Sequence, residues 1–173
     1  LVKHGFAACP PGSGPRHMKF SQDGRFAYVL NELSLAITVF AWNPDKGELA
    51  PLQTIRTLTE DTKAKESFNS ASEIRIHPSQ KFVYSANRGN DTVTVFKRDG
   101  ESGKLTLVEV EPIRGAWPRN FNLDPSGRWL LTAGRDSNTI AAFAVDAETG
   151  ELTYKRSIIS VPGPICVLFP HGS

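Results

Sequence analysis

Cysteine is scarce in this 173-residue chain, with only Cys9 and Cys166 present, too few for a disulfide scaffold. A reduced, cytoplasmic setting is the expectation that fits them. No charge sign dominates: 20 Lys and Arg stand against 18 Asp and Glu, for a net +2. The signs are interspersed, so neither nucleic acid nor an anionic membrane surface is an expected partner. No apolar run approaches the roughly 20 residues of a transmembrane helix. The sequence opens Leu-Val-Lys-His, without an initiator methionine or a signal peptide, which reads as a piece of something longer. No segment keeps a 3.6-residue apolar period, and the one helix candidate, 59–67, is polar throughout and reads as loop. A Gly-rich phosphate loop, a GxSxG elbow and metal-ligand spacings of His, Cys or Asp are also missing, so no cofactor and no metal are expected.

What is present points to one globular domain, with 39% apolar and 22% charged residues. Twelve prolines, 14 glycines and many short Val/Ile/Phe/Tyr runs lean toward an all-β protein. The sequence repeats itself. From the apolar residue closing a first strand to an aromatic in the third is 20 residues in every copy: Phe20 to Phe40, Ile76 to Phe96, Leu123 to Phe143. From that aromatic to the next leucine is 9 residues each time: Phe40 to Leu49, Phe96 to Leu105, Phe143 to Leu152. Each copy parses into four short strands. A turn (SQDGR, HPSQK, DPSGR) follows the first, and a β-branched and aromatic second strand (FAYVLN, FVYSAN, WLLTAG) comes next. Gly-containing turns (PDKGE, ESGK, ETGE) lead to the fourth. Four antiparallel strands in a unit of about 45 residues form a β-propeller blade, which must stack on neighbours to bury both faces. The expected blades occupy about 15–58, 71–113 and 118–160 within one partial domain over 1–173, and 164–169 supplies the inner, closing strand of a fourth.

The stretches GPRHMKFSQDGRFAYVLNEL, SEIRIHPSQKFVYSANRG and WPRNFNLDPSGRWLLTAG resemble the seven-bladed propeller lactonase family, which includes propeller-type 6-phosphogluconolactonase and carboxy-cis,cis-muconate lactonizing enzyme. The resemblance runs from Gly12 to Phe169, rests on the ordered series Pro-Arg-His, Ser-Glu-Ile-Arg-Ile-His-Pro, Asn-Arg-Gly and Pro-Arg-Asn-Phe, and covers the family's C-terminal half.

Aligned repeats place Arg16, Ser72, Arg119 and Ile165 in one ring at a channel mouth, and His17, Glu73, Asn120 and Cys166 in the next. Positions that only pack tend to repeat, as Phe26, Phe82 and Trp129 do. Divergence toward imidazole, carboxylate, amide and thiol at equivalent positions points to chemistry. The family resemblance implies that His17, Glu73 and Arg119 are catalytic. Neutral His17 or ionised Glu73 would take a proton from water, and Arg119 would hold an oxyanion or grip a phosphate or carboxylate. Arg16, Asn120 and Arg88 complete the substrate-binding candidates.

Structural roles compete with these. His17 can cap a strand end, Glu73 and Arg119 can form an ion pair across the channel, and Arg88 can pair with Glu32, since both follow equivalent asparagines, Asn87 and Asn31. Arg75 and His77 read as packing and turn residues, with His77 in the slot of Asp124. Cys166 lacks a sequence-evident base to activate it, and Cys9 reads as inert. The second repeat starts late, leaving an insertion, TLTEDTKAKESFNSAS, that reads as a solvated loop or as a rim bringing Lys63 and Lys65 to an anionic substrate. The expected function of the intact protein is hydrolysis of a small anionic sugar-acid lactone such as 6-phosphogluconolactone, with a rate responding to pH between about 5 and 8 through His17. The alternatives are muconate lactonization on the same fold and a non-catalytic binding module. The rest of the propeller, or a second copy, is the expected partner of the open blade flanks.

Overall fold

The computed structural model describes residues 4–59 and 68–170. Among the described residues all regular structure is β. The first sheet contains β1 (Pro15–Phe20), β2 (Phe26–Asn31), β3 (Ala36–Asn43) and β4 (Glu48–Arg56). The second contains β5 (Ser70–Ile76), β6 (Phe82–Arg88), β7 (Thr92–Arg98) and β8 (Leu105–Pro112). The third contains β9 (Pro118–Leu123), β10 (Trp129–Gly134), β11 (Thr139–Val145) and β12 (Leu152–Ser160). Spatial order follows chain order in each sheet, as it must where short hairpins join antiparallel neighbours.

The core lies between sheets rather than within one. Tyr28, Leu30, Ile37 and Val39 of the first sheet pack with Ile74, Val83 and Phe96 of the second. Tyr84, Val93 and Val95 of the second pack with Phe121, Leu130 and Phe143 of the third. This explains why FAYVLN and FVYSAN carry no apolar–polar alternation: β2 and β6 are buried along their whole length, β6 between two sheets and β2 between the second sheet and the segment around Ala7 and Cys9. Stacking is locked by a repeated contact. Tyr28 Oη donates to Gly103 O at 2.9 Å, and Tyr84 Oη donates to Gly150 O at 2.8 Å. Gly150 has φ +79 and its missing Cβ would lie 2.5 Å from the Phe82 ring, so only glycine lets that hairpin close on the neighbouring blade.

The turn after each inner strand is one structure written with three sequences. His77 Nδ1 accepts from Ser79 N at 3.0 Å, as Asp124 Oδ2 accepts from Ser126 N at 3.2 Å, and His77 Nε2 donates to Gly127 O at 2.8 Å in the next blade. His77 is therefore a turn and packing residue. Residues 164–169, expected as the inner strand of a fourth blade, make no backbone ladder among the described residues. Side chains hold the segment against β9 instead: Val167 N donates to Asn120 Oδ1 at 2.9 Å and Val167 O accepts from Asn122 Nδ2 at 3.0 Å. The insertion with Lys63 and Lys65, and most of the helix candidate, lie outside the described residues.

Candidate active site

The inner strands β1, β5 and β9 stand side by side, and each carries an irregularity at the same place. The ladder register slips between Pro15 and His17, between Ala71 and Ile74, and where Pro118 and Asn120 face Gly134 and Ala133. The residues inside the slips are Arg16, Ser72 with Glu73, and Arg119. A bulge adds a residue without a ladder partner and re-aims the side chains around it. Here it turns the first ring of candidates out of the pleat. Arg16 Nη1 donates to Ser72 O at 2.6 Å, and Ser72 Oγ donates to Pro118 O at 2.5 Å, so the three bulges are bonded to one another.

The second ring forms a polar chain. His17 Nδ1–H donates to Glu73 Oε1 at 2.9 Å, and Asn120 Nδ2 donates to Glu73 Oε2 at 2.7 Å. Glu73 is only 3% exposed, and its remaining lone pairs accept from its neighbour Ile74 N at 2.9 Å and from Arg75 at 3.3 Å. A buried carboxylate with this many donors is held as an acceptor. It fixes the His17 tautomer with the proton on Nδ1 and the lone pair on Nε2. That assignment agrees with the other side of the ring, where Arg16 Nη1 donates to Nε2 at 2.8 Å. His17 is 38% exposed and, with Arg16, lines a cavity of about 280 Å³ that also touches Cys9 and Phe40.

Around this chain the arginines divide. Arg16 Nε lies 3.3 Å from Glu32 Oε2, and Arg88 holds Glu32 Oε1 while also donating to Ala71 O at 3.2 Å. Arg88 further rests over the Trp117 ring at 5.6 Å. Arg88 thus forms the ion pair with Glu32 that its repeat position offered. Arg119 makes no hydrogen bond or ion pair among the described residues, and no Glu73–Arg119 ion pair forms among them. Burial, followed by the nearby Arg119 charge, pushes the Arg16 guanidinium below its ordinary value, and Glu32 and Glu73 oppose this.

The geometry therefore brings His17, Glu73, Asn120 and Arg16 into direct contact and leaves Arg119 beside them with an uncommitted guanidinium. Cys166 is an exposed free thiol, and Cys9 is also free. What the repeats did not signal is Glu32 as the common partner of Arg16 and Arg88. Its opposite charge to Arg88 at an equivalent repeat position was the available signal for half of that bridge. The contact with Arg16 depends on the β1 bulge.

Comparison with known proteins supports a single family. The model of the family described as Lactonase, 7-bladed beta-propeller matches residues 1–169. The 6-phosphogluconolactonase of Bacillus subtilis (strain 168) is 38% identical over 171 residues, covering 99% of this chain and 48% of that protein. The 6-phosphogluconolactonase of Formosa agariphila is 40% identical over 116 residues, 66% of this chain and 31% of that protein. Among solved structures, the periplasmic gluconolactonase of Pseudomonas aeruginosa superposes with a TM-score of 0.83 at 36% identity, covering 92% of this chain and 43% of that one. A Lactobacillus plantarum protein superposes with a TM-score of 0.89 at 30% identity, covering 96% of this chain and 48% of that one. The chain thus spans about half the length, or less, of these relatives.

Proposed function

The chain belongs to the seven-bladed β-propeller lactonase family, and on that premise we propose that the complete propeller containing it hydrolyses a small anionic sugar-acid lactone, with 6-phosphogluconolactone as the first substrate to test. The observation that carries this reading is the Glu73–His17 pair, in which a buried carboxylate orients a partly exposed imidazole. This is the arrangement a general base needs, because the carboxylate sets the tautomer and then stabilises the imidazolium that forms.

In this mechanism the incoming lactone draws Arg16 off His17 Nε2, and Nε2 takes a proton from a water molecule as its oxygen attacks the carbonyl carbon. The charge that develops on the carbonyl oxygen is met by Arg119, the guanidinium with no other described partner. Collapse of the tetrahedral intermediate breaks the ring C–O bond, and the departing alkoxide takes the proton back from His17. The product is an open-chain hydroxy acid, and the imidazole is neutral again. Asn120 keeps Glu73 aligned throughout through its 2.7 Å bond.

The test is turnover of 6-phosphogluconolactone by the full-length protein and its variants. His17→Ala, Glu73→Gln and Arg119→Ala are each expected to lower turnover by about 10²-fold or more without loss of fold, and Cys166→Ser is expected to be nearly silent. If Cys166→Ser abolishes activity while His17→Ala does not, the assignment fails. Tight ligand binding without turnover of any lactone would favour a binding module instead.

A further inference from the structure

Two residues beyond His17 and Glu73 along the inner strands stand Lys19 and Arg75. A strand presents residues i and i+2 on one face, about 7 Å apart, so these cations form a second tier further along the channel wall. They line a common opening of about 710 Å³ with Gln22 and Gln80 of the turns at that end.

This tier is short of negative charge. Lys19 makes no ion pair among the described residues. Arg75 has one contact to Glu73 at 3.3 Å, and its Nε is buried without a hydrogen-bond partner among the described residues. Glu73 is already shared with His17 and Asn120. The turn carboxylates nearby are spent elsewhere: Asp23 on Ser21, Arg25 and Arg98, and Asp124 on Ser126 and the Trp129 amide. Burial and the adjacent Arg75 charge both push the Lys19 ammonium below its ordinary value, with Glu73 alone opposing. The contrast with the mouth is direct, since Arg16 and Arg88 there share Glu32. Half-buried cations held side by side, with one carboxylate that is already shared with His17 and Asn120, are costly for the fold and suit an anionic ligand.

We propose that Lys19 and Arg75 form the subsite that grips the phosphate of a phosphorylated sugar lactone, an inference that rests on the lactone-hydrolysis reading. The spacing fits. With the carbonyl at His17, a phosphate separated from it by the ring oxygen, two carbons and the ester oxygen reaches the tier about 7 Å away. A carboxylate directly on the lactone ring would fall short of it. Arg119 is then free to serve the oxyanion rather than the tail.

The test compares 6-phosphogluconolactone with unphosphorylated glucono-δ-lactone in the full-length protein, and also measures binding of inorganic phosphate by calorimetry. Lys19→Ala is expected to raise KM for the phosphorylated substrate by about tenfold or more. Its kcat, and the turnover of glucono-δ-lactone, are expected to stay within about twofold, and Lys19→Arg to restore KM. Inorganic phosphate binding is expected to be lost in Lys19→Ala and kept in His17→Ala. Equal losses on both lactones, or phosphate binding unchanged in Lys19→Ala, would overturn the subsite. Loss of phosphate binding in Lys19→Ala in a protein that turns over neither lactone would support the anion subsite while removing the reaction assignment.

Discussion

Removing the Glu32 carboxylate leaves Arg16 and Arg88 facing each other with no shared anion. Arg16 then has only Ser72 O and His17 Nε2 to hold it, and the latter is the atom the reaction needs free. Glu32→Gln is therefore expected to lower kcat/KM by about tenfold, mostly through kcat at neutral pH, because a misplaced Arg16 competes with water at Nε2. Glu32→Asp is expected to recover part of the loss, which a purely structural role would not predict. Steady-state kinetics of the two variants check this. At the same scale, Asn120→Ala removes the 2.7 Å donor that aligns Glu73 and also the acceptor for Val167 N, so it should weaken both turnover and the seating of 164–169.

At the scale of elements, the hairpin that closes each blade onto the previous one bears the packing. Tyr84→Phe deletes the bond to Gly150 O and is expected to cost about 1 kcal/mol. Gly150→Ala should cost more than Gly24→Ala. Both have positive φ, but a Cβ at Gly24 meets nothing within 4 Å, whereas one at Gly150 lies 2.5 Å from the Phe82 ring. Urea denaturation of the three variants orders them. The turns also set the acid response. Asp23 is held well below the usual carboxylate range: partial burial opposes this, but the Ser21 hydroxyl, the Arg25 backbone and side chain and the Arg98 charge outweigh it. A depressed folded value contributes stability above the unfolded value near 4 and loses it as pH falls through the folded one. Melting temperature is therefore expected to fall progressively below about pH 4, with a smaller fall in Asp23→Asn.

At the scale of the whole molecule, three sheets leave outer faces without a further blade among the described residues. Ile158 and Ile159 on β12 are 45% and 58% exposed, and Leu168 is 78% exposed. Apolar surface of this kind associates. The 173-residue chain on its own is expected to self-associate, and to be inactive because part of the channel wall is not within it; light scattering showing a monodisperse monomer would contradict the first expectation.

The four-strand repeat, the blade class and the equivalence of His17, Glu73 and Asn120 were legible in the sequence because strand spacing and turn chemistry are local and recur at fixed intervals. The equivalence of His77 with Asp124 was legible for the same reason: both accept from a backbone amide two residues on, whatever the tertiary surroundings. The register slips at Arg16, Ser72–Glu73 and Arg119 were not, since a bulge is a relation between two strands and leaves no mark in either alone. The sequence offered the Arg88–Glu32 pair, which forms once the first two blades stack, but not the Arg16–Glu32 contact, which the β1 bulge makes within one blade. The missing ladder at 164–169 has the same origin: an apolar, extended stretch becomes a strand only where a second strand lies beside it.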